Sequence, residues 1–179
     1  MFAGIERSIN SINSLQELRL SSIARHGTQL NLQANIHTKR EGLYWIYSSY
    51  TLDDFITSSP STKRGSINFS ELTLRNYQRS DLCEQTIDGY RLVYNGIGGV
   101  GPKGAGGLRE RILGEFRGGE GTGSLAIQGS TLFDLQKWRI SYVLWSEIDF
   151  GRSLNYNDYS DTIEHLWRIV YGWPLLCNK

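Results

Sequence analysis

The stretch VYNGIGGVGPKGAGGLRERI, residues 93–112, constrains the fold more than any other part of this chain. An apolar, strand-like run leads into it and a helix-like run leaves it, while Gly96, Gly98 and Gly101 spell G-x-G-x-x-G between them. Backbone without side chains can approach a phosphate closely, and a helix that follows presents its N-terminal amides to an anion. The context disfavours a dinucleotide fingerprint, which needs one tight turn and a second parallel strand ending in an acid about 20 residues on. Here glycines continue to Gly107, too far for that turn. A Walker loop is disfavoured too, because Lys103 stands between Pro102 and Gly104 and no G-K-[ST] occurs.

The rest of the chain supplies an order of elements. Ile5, Ile9, Ile12, Leu15, Leu18 and Ile23 recur at helical spacing, which predicts an amphipathic N-terminal helix or helical pair over 5–24. GLYWIYSS at 42–49, YRLVYN at 90–95 and WRISYVLW at 138–145 read as strands. LRERILGEF at 108–116 and DTIEHLWRIVYG at 161–172 read as helices, the second ended by Gly172 and Pro174. A further helix is expected over 125–136, and a short one among the Ser-, Thr- and Arg-rich loops of 51–89. The fold expected is α+β in one domain over 1–179: a small three-stranded, mainly antiparallel sheet flanked by helices, with a helical extension over 1–41. The core covers 42–50 and 90–178, and 51–89 is an insertion between the first two core strands.

Charge narrows the function. With 19 basic and 18 acidic residues the net charge is +1, so a nucleic-acid surface must be built by local segregation. Cys83 and Cys177, with no apolar leader at the N-terminus, favour a reduced, cytoplasmic protein with two free thiols. No apolar run reaches the length of a membrane span. His26, His37 and His165 are scattered, without zinc spacing.

Gly42-Leu43-Tyr44 on the first strand, Tyr94-Asn95-Gly96 on the second and Leu108-Arg109-Glu110-Arg111 on the next helix resemble the GIY-YIG endonuclease family and its L-R-x-R motif. Glu164, followed by the Pro174 to Asn178 tail, is similar to the family's metal-binding glutamate and its closing motif. The likeness covers 42–49 and 90–178. It departs from the family in the 50 residues between Tyr44 and Tyr94, in Asn95 where Ile or Val is usual, and in Glu115, where many relatives carry His or Tyr.

The resemblance implies a phosphodiester hydrolase acting on double-stranded DNA with Mg²⁺, for which Mn²⁺ can substitute. Tyr44 with Tyr94 would activate or orient water, Arg111 would clamp the scissile phosphate, and Glu164 would hold the metal; Lys103 and Asn178 would support them. A phenol is a weak base at neutral pH, so nearby positive charge from Arg111, Lys103 or the metal is expected to favour the phenolate. Lys63, Arg64, Arg75 and Arg79 in the insertion, with Lys103, are the candidate DNA contacts. The overall plan is most like that of type II restriction endonucleases, acting on DNA as a homodimer because one active site cuts one strand. A repair or mobile-element nuclease, and a non-catalytic DNA- or nucleotide-binding protein, are the alternatives. Each residue also has a plain structural use: Tyr44 and Tyr94 as strand aromatics, Arg111 paired with Glu115 at i, i+4, and Glu164 in a capping box with Asp161.

Overall fold

The computed structural model describes residues 2–99, 106–119, 123–148 and 156–178, with backbone alone for 2–5 and 156–159. Within them the chain order is α1 (Phe2–Glu17), β1 (Ile23–His26), β2 (Gln29–Leu32), β3 (Gly42–Ser48), α2 (Leu52–Ile56), α3 (Phe69–Asn76), β4 (Thr86–Ile87), β5 (Tyr90–Gly98), α4 (Leu108–Arg117), β6 (Trp138–Leu144) and α5 (Tyr156–Tyr171). The class is α+β. One sheet has four strands in the order β4-β5-β3-β6, all antiparallel, and β1 with β2 forms a separate hairpin. The three expected core strands are therefore joined by a two-residue edge strand, and the N-terminal extension holds one helix and a hairpin.

Side-chain alternation along the central strand sorts the helices into two layers. Leu43, Trp45 and Tyr47 of β3 share a buried cluster with Ile9 and Ile12 of α1 and Ile163 and Trp167 of α5. Tyr44 and Ile46 face the other way, among Ile112, Leu113 and Phe116 of α4 and Phe55 and Phe69 of α2 and α3. Both faces of β3 are covered, which is why its sequence reads as an unbroken apolar run.

Trp138 fixes the insertion to this frame. Its ring meets Phe55, Phe69, Phe116 and Tyr50 at centroid distances of 5.9–6.4 Å, and its Nε1–H donates to the Leu132 carbonyl at 2.8 Å. Local chemistry starts the two insertion helices: Thr51 and Asp54 form a capping box on α2, and the Asn68 side chain accepts from Glu71 N–H on α3.

The helix expected over 125–136 does not form. Ala126 takes a left-handed backbone (φ 47°), and two single 3₁₀ turns, Ile127–Gly129 and Leu135–Lys137, replace it. Helix α5 begins well before Asp161, so Asp161 is no N-cap and the capping-box reading of Glu164 falls. Gly172 ends that helix at φ +96°, where a Cβ would meet the Cys83 backbone at 2.8 Å. No helix among the described residues is long and apolar enough to cross a membrane.

Candidate functional site

The pairing register of the sheet explains two of the glycines. Tyr44 lies opposite Gly96, and a Cβ on Gly96 would collide with the Tyr44 ring and hydroxyl. A Cβ on Gly98 would strike the Leu108 backbone, so that glycine lets α4 start against the sheet. These two positions serve close packing; Gly101 and Lys103, read above as phosphate-approaching, lie outside the described residues.

With its ring seated, the Tyr44 hydroxyl donates to Glu115 Oε1 at 2.7 Å. Glu115 is fully buried and also accepts from the Leu125 backbone N–H at 2.8 Å and from Arg111, whose guanidinium lies 3.0 Å away. Arg111 is the exposed end of this chain of contacts, its side chain 36% accessible. The plain reading of an i, i+4 pair is thus correct in geometry, but the carboxylate belongs to the interior. A buried carboxylate requires such donors.

Tyr94, from β5, stands beside this group with its ring centroid 6.3 Å from that of Tyr44. Burial, and then the Glu115 charge, push both phenols above their ordinary range. Of the positive charges expected to favour a phenolate, Arg111 works toward it but burial outweighs it, and Lys103 lies outside the described residues. Burial opposes the charge of Arg111 as well, yet Tyr44, Glu115 and Tyr94 hold its pKa above the usual value. Glu115 is itself raised by burial, against the pull of Arg111, Leu125 and Tyr44.

Glu164 approaches from the opposite layer. Beyond the two-residue pairing with β4, the outer edge of β5 is met by α5 and the C-terminal segment: Arg168 donates to the Asn95 side chain at 2.9 Å, and the Leu176 N–H donates to the Val93 carbonyl at 2.8 Å. Arg168 also holds Glu164 Oε1 at 2.7 Å and lies over the Trp173 ring. Burial raises the Glu164 carboxyl to about 7, while Arg168 and, more weakly, Arg111 pull it down. Glu164 is joined to this region through Arg168, which binds both its Oε1 and the Asn95 side chain next to Tyr94.

Sequence reasoning passed over several partners. Arg168 stands four residues after Glu164, a spacing that announces a helix pair. Asn95, a polar residue inside an apolar strand, was visible as a departure; its side-chain oxygen also faces the Cys177 thiol at 3.4 Å. Burial pushes that thiol up to about 12, so it is inert. Both cysteines are buried and free.

Tyr94 opens onto a cavity of about 470 Å³, walled by α3 and its cap on the insertion side and by Arg168 and the C-terminal segment. A second hollow of about 320 Å³ holds Arg111 and Arg117 near Ser124. Of the predicted DNA contacts, Arg75 lines the first cavity, where it donates to Asn178 Oδ1. Arg64 is exposed. Two others are engaged internally. The Lys63 ammonium caps α4, donating to the Arg117 and Gly118 carbonyls at 2.6 and 2.9 Å, and Arg79 forks onto Asp81 at 2.8 Å and covers Trp173. His165 packs its ring against Trp173.

No group of three or more His, Cys, Asp or Glu suited to a metal ion occurs among the described residues. A hard cation such as Mg²⁺ nonetheless accepts one carboxylate oxygen together with water and phosphate oxygens. Glu164 fits that modest requirement, since Arg168 engages its Oε1 alone. No protein-family model, curated protein or solved structure matches this chain.

Proposed function

We propose that the protein is a divalent-cation-dependent endonuclease of the GIY-YIG type that hydrolyses DNA phosphodiester bonds. The observation that carries this reading is that Tyr44 and Arg111 meet at Glu115 with the Tyr94 ring beside them, and that Tyr94 lines a cavity together with Arg168, the partner of Glu164.

Each residue then has a role suited to its surroundings. Arg111, anchored from behind by Glu115, turns its remaining N–H donors toward a phosphate and offsets charge that develops on its oxygens. Tyr94, protonated at neutral pH and facing the cavity, orients the attacking water. Tyr44 braces Glu115 and offers a proton path, because a proton taken up at its oxygen is matched by transfer of its own hydrogen to Glu115. No free phenolate is needed. Glu164 would hold Mg²⁺, which supplies charge neutralisation and a more acidic bound water.

Sequence-specific cutting as a homodimer in the manner of restriction endonucleases fits a site enclosed by an insertion, with Arg75 placed at it. The Glu164–Arg168 ion pair favours a non-catalytic binder, since it offsets the carboxylate charge without a metal.

Plasmid DNA incubated with the protein and Mg²⁺ separates the readings. Discrete fragments from the wild type, with Glu164→Ala and Arg111→Ala each slowed at least about 100-fold, are expected, the order of loss seen when one preorganised charge-stabilising group is removed. Nicking at lesions or branches would point to repair instead. Shifted but uncut DNA would leave the binder, and equal cutting by all three proteins would overturn the residue assignment.

A further inference from the structure

The catalytic roles leave most of the 470 Å³ cavity beside Tyr94 without a purpose. Its volume falls in the range of small-molecule sites, roughly 300–1,000 Å³. Asn68, Glu71 and Arg75 line it from α3 and its cap, at spacings that bring them to one side of the helix. Arg168 and Asn178 line it from the end of the chain.

The two guanidiniums differ in freedom. Arg168 is fixed by Asn95, Glu164, the Cys177 sulfur and the Trp173 ring, and so lines the cavity as a cation held in place. Arg75 is exposed, tied to the Asn178 amide oxygen, and one helical turn from the Glu71 carboxylate. A fixed cation beside an adjustable donor fork and a carboxylate suits a ligand with a phosphate at one end and a hydrogen-bonding base edge at the other. Guanine meets the second requirement best: its O6 and N7 accept from an arginine fork, and its N1–H and amino group can donate to a carboxylate.

We propose that this cavity is a subsite for one nucleotide of the substrate strand next to the scissile phosphate, with Arg168 contacting its phosphate and Arg75 and Glu71 selecting guanine. The proposal rests on the nuclease reading for the neighbouring phosphate, because Tyr94 belongs to both places.

Binding of the four deoxynucleoside 5′-monophosphates and of inorganic phosphate to the full chain, without metal, tests it by NMR titration. dGMP is expected to bind at least ten times more tightly than the other three or phosphate. Arg75→Ala should lose at least tenfold for dGMP alone, and Arg75→Lys should not restore it, since a lysine lacks the fork. Leu74→Ser, at the exposed neighbouring position, should bind as wild type. Equal binding of inorganic phosphate and dGMP, no preference among bases, or an unchanged Arg75→Ala variant would each overturn the subsite. Selective dGMP binding by a protein that cuts no plasmid would sink the nuclease reading and leave the cavity a guanine-nucleotide site with no scissile phosphate beside it; cutting without nucleotide binding would overturn the subsite and leave the nuclease reading standing.

Discussion

Glu115 decides whether the site exists as drawn. Three donors converge on this fully buried carboxylate, and removing it leaves the Tyr44 hydroxyl, the Leu125 N–H and a guanidinium without their acceptor. Breaking a buried ion pair from one side costs about 3–5 kcal/mol. Glu115→Ala is therefore expected to lose about that much stability in urea unfolding, whereas Glu115→Gln keeps an oxygen for one donor and should lose about half. A loss below about 1 kcal/mol for the alanine variant would show that the network is not closed. Sequence displays Glu115 four residues after Arg111, but a helix pair of that kind normally sits in water and is worth a few tenths of a kcal/mol. What separates the two cases is β3 lying beneath α4 with Tyr44 pointing up, a contact between residues 71 positions apart. Local spacing cannot carry that information.

Elements with a clean period were legible: the strands expected at 42–49, 90–95 and 138–145 and the helix at 108–116 all form, although the second strand runs on to Gly98, through glycines read from sequence as loop. The segment 125–136 was not, because Leu125, Ile127 and Leu132 are all buried from a path of single turns, and an apolar spacing produced by loop docking imitates a helix. Lys63 shows the same limit in the insertion, where a basic residue expected on DNA is bound instead to the end of α4. Two hydrogen bonds to helix-terminal carbonyls at an exposed site are worth about 1 kcal/mol together. Lys63→Ala should lose about that in stability and leave the salt dependence of DNA binding unchanged; a slope reduced by about one would restore it as a phosphate contact. A second tie between elements joins Arg19, just after α1, to Glu147, just after β6, through two bonds of 2.6 and 3.0 Å. The Arg19 hydrogen bond lowers the Glu147 carboxyl below its ordinary value. A carboxyl lowered in the folded state stabilises at pH above the unfolded value, about 4.3, and that stability disappears as pH falls through the folded value. Acid titration of stability should thus show Glu147→Gln less sensitive than wild type below about pH 4.5, by up to about 1 kcal/mol given its partial exposure.

For the molecule as a whole, the site depends on closing the edge of β5. A strand edge left open exposes backbone donors and acceptors, and here the C-terminal segment covers it: Leu175 and Leu176 are fully buried, and the Leu176 N–H bonds Val93. That segment is held in turn by α3, because Asn76, itself buried, donates to the Leu175 and Cys177 carbonyls at 2.9 and 3.2 Å. The insertion, the tail and β5 form one closed circuit, with Arg168 joining Glu164 to Asn95 on β5. Opening the circuit at its least disruptive point tests this. Asn76→Ala removes little volume but leaves two buried carbonyls unpaired, at a cost of about 1–3 kcal/mol each if neither finds water. Amide exchange in the folded protein should then quicken locally, at Leu176 and along β5, while amides in the α1 layer keep their wild-type protection. Uniform acceleration across both layers would mean that the tail is welded to the whole fold, and that the carboxylate of α5 is positioned by its own helix alone.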